Sequence, residues 1–220
     1  RVTCAIDYHF LGTYLNRQIY YRQGTGGNWK KISGPRSGSG LTQVSTSEDG
    51  KHFWGIFRNK IYYRKGLHGG HWSEKKKIKK ISGGLKNISV SGDIVWGVNS
   101  KDKIFYRKGE KGSWKKVSGG LKQVHAFGNG RFVVGTNRNN NVYLRDGVKG
   151  SWQNKKCCLS QVSGAYFSGK VYIVGISPKK GEVYMKKHKE KSWKKLSSKI
   201  KMRHVEITED GMLWGVSKKN

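Results

Sequence analysis

Short apolar stretches recur along the whole chain, and each is bounded by Gly, Asn, Asp or Ser. In a stretch such as residues 61–64 (Ile-Tyr-Tyr-Arg), β-branched and aromatic side chains alternate between two faces, which is typical of a half-buried β-strand. No window places apolar residues at positions i, i+3, i+4 and i+7 over the length of a helix. The pattern therefore predicts an all-β protein.

The stretches form a group of four that repeats about every 40 residues. One marker of this period is a tryptophan with similar neighbours, present as Trp29, Trp72, Trp114, Trp152 and Trp193. A second marker is an apolar residue followed by glycine, present as Leu11-Gly12, Trp54-Gly55, Trp96-Gly97, Val134-Gly135, Val174-Gly175 and Trp214-Gly215. Four short strands per repeat of this length are typical of a β-propeller blade. A barrel or sandwich would have a similar strand density but would not need the same four-strand unit in every repeat.

The markers leave two blade numbers open. There are six glycine markers but five tryptophan markers, and the predicted strands number 22, two short of six full blades. We favour six blades with a short last one, and five closed blades with an extra strand pair is the alternative. The chain contains only two prolines and no linker-like segment, so residues 1–220 are expected to form a single domain.

The repeated sequence motif resembles that of a known family. The sequence Trp-x-x-Val-Ser-Gly-Gly-Leu-Lys-x-Val, followed by Val-Trp-Gly-Val-Asn and Ile-Tyr-Tyr-Arg, is similar to the tectonin repeat of tachylectin-1 and fish-egg lectins. The resemblance covers essentially the whole chain, is strongest from Trp72 to Val124, and weakens after Trp152. It implies a six-bladed propeller that recognises carbohydrate or bacterial-envelope material such as lipopolysaccharide.

The charge is strongly unbalanced, since 45 Lys and Arg face 13 Asp and Glu, a net charge of +32. Such an excess attracts polyanions. The alternative is that the lysines are a solvated surface that only provides solubility. Lysine predominates, and lysine acts as a point charge rather than as a bidentate fork, which favours diffuse attraction. The predicted partners are anionic glycans or polysaccharides and, non-specifically, nucleic acid. The predicted polyanion-binding residues are Lys75, Lys76, Lys77, Lys79, Lys80, Lys186, Lys187, Lys189, Lys191, Lys194 and Lys195.

Candidate glycan-binding residues are those that vary between blades or carry hydrogen-bonding groups. The five evenly spaced tryptophans are interpreted as packing between blades, because they recur in every repeat. The glycan-binding candidates are Trp54, Trp96, Trp214, Asn99, Asn137, Arg22, Arg64, Arg107 and Arg145. The alternatives are a core position for the tryptophans, a turn role for the asparagines, and pairing of the arginines with Asp102 or Asp146. The N-glycosylation sequon at Asn87 lies in a predicted strand where the other repeats carry Gln43, Gln123 and Gln161. Sequence divergence between repeats therefore explains this asparagine as well as glycosylation does.

Catalytic motifs are lacking in the sequence. It has no HExxH, nucleophile or nucleotide-binding glycine motif and no zinc-like Cys/His spacing, so neither an enzyme nor a metal or other cofactor is expected. Three cysteines, Cys4, Cys157 and Cys158, cannot all pair within one chain. Either one thiol is free or it forms an intermolecular disulfide, so an oligomer is one alternative. No apolar run is long enough for a transmembrane segment. Residues 1–5 lack the apolar core of a signal peptide, so a secreted protein would already have lost it.

Two functions follow from these patterns. The first is a secreted, multivalent lectin for anionic or bacterial-envelope glycans, an innate-defence agglutinin in which each blade, or each cleft between blades, offers a shallow site. The second is a basic structural or matrix protein that binds sulfated polysaccharide, nucleic acid or acidic protein by charge without sugar specificity.

Overall fold

The chain folds into strands and turns, as a computed structural model shows. The structure describes residues 2–5, 9–13, 17–24, 26–32, 40–65, 78–197 and 200–218. Within these ranges there is no helix, and therefore none long and apolar enough to cross a membrane.

The described strands form five sheets of four strands and one sheet of two. Blade one comprises β1 (Val2–Ala5), β2 (His9–Thr13), β3 (Ile19–Gln23) and β4 (Lys30–Ile32). Blade two comprises β5 (Gln43–Thr46), β6 (His52–Phe57), β7 (Lys60–Lys65) and β8 (Ile78–Gly84). Blade three comprises β9 (Asn87–Ser91), β10 (Ile94–Val98), β11 (Lys103–Lys108) and β12 (Lys115–Gly120). Blade four comprises β13 (Gln123–Phe127), β14 (Phe132–Thr136), β15 (Asn141–Asp146) and β16 (Gln153–Cys158). Blade five comprises β17 (Gln161–Phe167), β18 (Lys170–Ile176), β19 (Val183–Lys187) and β20 (Lys194–Ser197), and the strand pair comprises β21 (Met202–Ile207) and β22 (Leu213–Ser217).

The sheets are arranged as a β-propeller. Each four-stranded sheet is antiparallel and follows chain order, so its first strand is one edge and its fourth strand is the other. The first strands of successive sheets contact one another around a central channel. Strand β21 contacts β17 on one side and β1 on the other, which places the strand pair between blade five and blade one. The prediction of a propeller with four-stranded blades is confirmed: five blades are complete, and the strand pair occupies the remaining place in the ring.

The glycine of the second marker allows the first and second strands to pack closely. A Cβ atom at Gly55 would lie 2.3 Å from Cδ1 of Leu41, and one at Gly97 would lie 2.3 Å from Cδ1 of Leu85. Both leucines are buried and precede the first strand of their blade. The marker is therefore required by close approach of neighbouring groups.

The core lies between blades rather than within one blade. One buried cluster joins Trp96 and Val98 of blade three to Val124 and Val133 of blade four, and each of the four other clusters also joins adjacent units. Because a flat sheet cannot bury both faces by itself, each blade depends on its neighbours for burial.

Amide side chains join the first strands around the channel. Gln123 donates from Nε2 to the carbonyl oxygen of Val162 (2.6 Å) and accepts at Oε1 from the N–H of the same residue (2.9 Å). Gln161 makes the same pair of hydrogen bonds to Val205, at 2.8 and 2.9 Å. Gln43 does so with Ile88, at 2.5 and 3.2 Å. Each glutamine thus satisfies two backbone groups of the next first strand, and we call this arrangement the amide clamp.

Asn87 occupies the clamp position of blade three but is one methylene shorter. Its Oδ1 accepts from the N–H of Val124 at 2.7 Å, while its Nδ2 donates to Oε1 of Gln43 at 3.2 Å. The side chain is buried, with 4% of the residue exposed. The asparagine of the sequon is therefore the clamp residue of its blade and lies in the interior of the ring.

Candidate functional site

Two blade interfaces contain an arginine within 6.0 Å of two indole rings, and at the interface of blades three and four those two rings also contact each other edge-on at 6.2 Å. At the interface of blades three and four, Cζ of Arg145 lies 6.0 Å from the ring centre of Trp96 and 5.7 Å from that of Trp152. At the interface of blades two and three, Arg107 lies 5.5 Å from Trp54 and 5.2 Å from Trp114. The members come from a second strand of one blade and the third strand and following loop of the next. We call this arrangement the indole–arginine stack.

The guanidinium groups of the stacks also close the loops that follow them. Arg145 donates from Nε to the carbonyl oxygen of Gly147 (3.0 Å) and from Nη2 to that of Val148 (2.9 Å). Arg107 donates in the same way to Gly109 (2.9 Å) and Glu110 (2.5 Å). Burial lowers the pKa of both guanidinium groups, but arginine is effectively always protonated in proteins, so both groups remain charged. The stacks are therefore cation–π and hydrogen-bonded structural elements.

Four candidate glycan-binding residues are unavailable to a ligand. The rings of Trp54 and Trp96 are completely buried, and Arg64 and Arg107 are 2% and 4% exposed. The prediction that these side chains face a sugar is wrong, because they are buried inside the protein. Arg145 is half-buried and uses its donors on its own loop.

The alternative, pairing of a stack arginine with Asp102, is not found among the described residues. The Asp102 carboxylate instead binds Lys86 and Arg138.

The asparagines at the second-to-third strand turns serve the turns. Oδ1 of Asn99 accepts from the backbone N–H groups of Lys101 (3.0 Å) and Lys103 (2.9 Å). Oδ1 of Asn137 accepts from the N–H of Asn141 at 2.9 Å. Their carboxamide oxygens are thus used locally, as short polar side chains commonly are in turns.

Blades four and five carry a modified stack. Val134 replaces the first tryptophan and Lys186 replaces the arginine. Lys186 is 7% exposed, donates from Nζ to the carbonyl oxygen of Lys191 at 3.1 Å, and lies 5.9 Å from the ring centre of Trp193. The prediction that Lys186 binds polyanions is therefore wrong, since its ammonium group is used inside the protein.

At the interface between the strand pair and blade one, the residues at the stack positions line a cavity instead of forming a buried stack. There Trp214 of β22, Arg22 of β3 and Trp29 line a cavity of about 250 Å³, together with His204, Glu206, Gly215 and Val216. We call it the seam cavity. Arg22 lies 5.9 Å from the ring centre of Trp29 and donates from Nε to the carbonyl oxygen of Gly24 at 3.1 Å. Trp29 is 45% exposed.

The exposure of Trp29 has a structural cause. Three of its counterparts donate from Nε1 to a carbonyl oxygen in the fourth strand of the preceding blade: Trp114 to Ser82, Trp152 to Ser118 and Trp193 to Lys155. The fourth counterpart, Trp72, lies outside the described residues. Among the described residues, the sheet that precedes blade one has only the two strands β21 and β22. No fourth-strand carbonyl therefore covers the Trp29 ring in the part of the chain that is described.

Polar groups of the strand pair complete the seam cavity. Glu206 pairs across the sheet with Trp214, and His204 with Val216, so all four side chains share one face. Glu206 lies 3.6 Å from Nε2 of His204 and 4.0 Å from Nε2 of His125 in the adjoining channel. The cavity thus presents indole faces, guanidinium donors and a carboxylate acceptor. An apolar cavity with a few convergent polar groups suits a small polar ligand.

The sequence identified Arg22 and Trp214 of this cavity and missed the other lining side chains. Trp29 was interpreted as packing because it recurs in the repeat. Trp29 has nearly the same sequence neighbours as Trp114, so no local signal distinguishes it from the other tryptophan markers.

The lysines predicted to bind polyanions fall into distinct environments. Lys79, Lys80, Lys194 and Lys195 lie exposed on fourth strands, and Lys189 and Lys191 are exposed in the β19–β20 loop. Lys187 pairs with Glu190 at 3.5 Å. Lys75, Lys76 and Lys77 lie outside the described residues.

Other groups that could carry chemistry are few in the described part of the chain. Cys157 and Cys158 are free thiols, and no described group of His, Cys, Asp and Glu side chains is arranged to hold a metal ion.

Comparisons with known proteins agree with the propeller. A family model described as "Tectonin domain" matches residues 1–176. Human WBSCR16 is similar in structure, with a TM-score of 0.63, 11% identity, and coverage of 99% of this chain and 74% of that one. Hydrazine synthase of Kuenenia stuttgartiensis gives a TM-score of 0.63 at 12% identity, covering 97% and 72%. YCF48 bound to D1 peptide gives 0.55 at 14%, covering 81% and 62%. At these identities the likeness shows the fold alone. No curated protein matches the sequence.

Proposed function

This chain belongs to the tectonin family, and from that premise we propose that it is a carbohydrate-binding protein of the lectin type rather than an enzyme. The seam cavity carries the proposal: the indole of Trp29 is 45% exposed beside Arg22, whereas the indoles of Trp114, Trp152 and Trp193 are hydrogen-bonded to the preceding blade. An exposed indole presents an apolar face of the kind that can pack against the C–H face of a sugar ring. Arg22 and Glu206 offer a donor and an acceptor for hydroxyl groups.

The sequence predicts a similar glycan site at every blade, and the structure does not support this at two blade interfaces. At the interfaces of blades two and three and of blades three and four, the positions that correspond to the seam cavity are filled by buried indole–arginine stacks. Multivalent binding by this protein therefore depends on association of chains, or on sites other than the stacks. We take association as the proposal, because several copies of one site gain avidity on a repetitive surface.

The preferred glycans are proposed to be anionic. A net charge of +32 raises the rate of encounter with phosphate, sulfate or carboxylate groups, and the guanidinium of Arg22 lines the cavity itself. Lipopolysaccharide and other bacterial-envelope glycans meet this description. On the same grounds the proposed setting is extracellular, with a role as an innate-defence agglutinin.

A glycan array at physiological and at high salt tests the proposal, with Trp29→Ala as the test variant. Wild-type protein should retain binding to a small set of glycans at high salt, and Trp29→Ala should weaken that binding about tenfold, a loss of roughly 1.4 kcal/mol of contact. Leu213→Ala is the matched control, since Leu213 is an equally exposed apolar side chain of β22 that does not line the cavity. Loss of all glycan binding at high salt, or equal losses in both variants, would exclude the seam cavity as a lectin site.

A second candidate function is a basic structural protein that binds polyanions by charge alone. It is favoured by exposed lysines on the fourth strands that lack carboxylate partners among the described residues. For such a protein, binding should fall linearly on a log–log plot against salt without a residual sugar-specific part.

A further inference from the structure

Four of the five fourth strands contain two adjacent lysines within their first three residues. The pairs are Lys30–Lys31, Lys79–Lys80, Lys115–Lys116 and Lys194–Lys195, and all eight residues are exposed. We call these eight residues the lysine belt. Half of them lie in the lysine-rich segments from which polyanion binding is predicted, and the other half share only the position in the repeat.

The pairs occupy one register position of the blade. The second lysine of each pair lies opposite the aromatic residue that follows the first Ile or Val of the third strand: Lys31 opposite Tyr20, Lys80 opposite Tyr62, Lys116 opposite Phe105, and Lys195 opposite Tyr184. Directly opposed residues on antiparallel strands share a face, so the aliphatic part of this lysine can lie along the aromatic ring while the ammonium group reaches solvent. The belt is thus a repeated structural feature and not a chance excess of charge.

Most of the charge in the lysine belt is uncompensated. Lys79 reaches Glu110 at 3.4 Å and Lys195 reaches Glu182 at 2.9 Å. The other six have no ion pair within the described part of the chain. Unpaired like charges repel one another in the folded protein, which disfavours this arrangement unless an anion offsets it.

The location of the belt restricts the partner. The fourth strands lie at the edge of each blade opposite the channel, so the belt follows the convex circumference of the ring. A flat membrane can contact only one arc of such a surface. Duplex DNA is stiff over roughly 150 base pairs and cannot follow it either.

A single-stranded nucleic acid is also disfavoured, because its bases need exposed aromatic side chains on which to stack. Trp29, at the seam cavity, is the one largely exposed aromatic side chain in the described ranges. The lysine belt itself offers only ammonium groups, which act as point charges. This chemistry suits sulfate or carboxylate groups carried on a flexible chain.

We propose that the lysine belt binds a linear sulfated polysaccharide that follows the circumference across blades one, two and three. Blade four interrupts the belt, because Gln153 and Asn154 occupy the two positions, also exposed and in the same register opposite Leu144 and Tyr143. The proposed lectin function guides the choice of polymer, but the belt is separate from the seam cavity and the two can fail independently.

The interruption at blade four supplies matched variants. Lys115→Gln with Lys116→Asn copies blade four into blade three, and Gln153→Lys with Asn154→Lys does the reverse. Binding of heparin oligosaccharides of increasing length is measured by calorimetry over a series of salt concentrations. The first variant should bind long oligosaccharides about tenfold more weakly at physiological salt, with a salt slope smaller by roughly one to two. The second should bind them more tightly, and wild-type affinity should rise with oligosaccharide length.

Three controls decide the outcome. Lys189→Gln with Lys191→Gln changes the net charge equally at exposed positions outside the belt and should have a clearly smaller effect. Trp29→Ala should leave heparin binding unchanged while it weakens glycan binding in the seam cavity. Thermal unfolding establishes that each variant is folded. Equal losses in the belt and loop variants, no dependence on length, or equally tight binding of single-stranded DNA of the same charge would overturn the proposal.

Discussion

The indole N–H of Trp114 donates a hydrogen bond to the carbonyl oxygen of Ser82, at 3.0 Å, and thereby joins blade three to the fourth strand of blade two. The same bond joins Trp152 to Ser118 at 3.1 Å and Trp193 to Lys155 at 3.0 Å. Gly83 follows Ser82 with φ of +106°, and a Cβ there would lie 3.2 Å from Nε1 of Trp114. The recurrent tryptophan is thus a bridge between blades, and its ring needs the glycine beside it.

Replacing this tryptophan with phenylalanine should have different effects at two repeats. Trp114→Phe removes the bridge and should lower the free energy of unfolding by about 1–2 kcal/mol. Trp29→Phe should change it by less than about 0.5 kcal/mol, because the described structure gives the Trp29 indole no bridge to a preceding blade. Urea denaturation of both variants measures the difference. Equal destabilisation would show that the bridge contributes nothing beyond packing.

The amide clamp predicts a graded loss at Gln123. Gln123→Leu leaves the N–H and the carbonyl of Val162 without their partner in a buried place, and should cost about 2–4 kcal/mol. Gln123→Asn, which copies the natural residue of blade three, should retain one bond and cost about half as much. The midpoint of urea denaturation at constant slope gives both values. An asparagine variant as unstable as the leucine variant would contradict the clamp.

Asn87 should carry no glycan in the folded protein despite its sequon. Its carboxamide is buried and hydrogen-bonded to Val124 and Gln43, and an attached glycan requires a surface position. Protein expressed in a eukaryotic secretory system should have the same mass before and after treatment with an N-glycosidase. Asn87→Gln, which restores the clamp side chain of the sister blades, should have the mass expected from its sequence and be no less stable. A glycan found at Asn87 on folded monomer would refute this.

Asp102 should make stability depend on pH. Burial by itself raises its pKa, but the hydrogen bonds and charges of Lys86 and Arg138 lower the pKa below its ordinary value. The stability that the ionised carboxylate contributes is therefore present above the unfolded-state pKa of about 3.9 and is lost as pH falls through the lower native value. Asp102→Asn should be destabilised by about 1–3 kcal/mol at pH 7, with the difference from wild type shrinking below about pH 4.

Asparagine suits this test because Asp102 has a φ of +61°, a backbone conformation that asparagine tolerates. The control is Asp93→Asn, since Asp93 forms a solvent-exposed pair with Lys108 at 3.6 Å that is worth less than about 0.5 kcal/mol. Chemical denaturation at pH 7 and pH 3, at constant salt, compares the two variants. A loss in Asp102→Asn that stays constant with pH would disprove the role of its charge.

The repeated features were predictable because they come from local sequence. Alternation in stretches such as residues 61–64 gave the strands, and equal spacing of the markers gave four strands per blade. The glycine of the Trp54-Gly55 marker was expected to permit close approach, and Leu41 is the group that approaches it. The side-chain environments of Trp54, Arg64 and Lys186 were not predictable. All three are buried in the folded ring, and Trp54, for example, lies against Arg107 of the next blade, a contact that a local pattern does not record.

By itself, the sequence determined the propeller, the number of strands and the excess of positive charge, because these depend on periodicity and composition. Only the tertiary structure decided which copies of a repeated residue are available to a ligand. Trp29 and Trp114 occupy the same position in the repeat, yet one lines the seam cavity and the other bridges two blades. The physical reason is the neighbour: a side chain's exposure is set by the strand that lies against it, and at the seam cavity the adjoining sheet has two described strands instead of four.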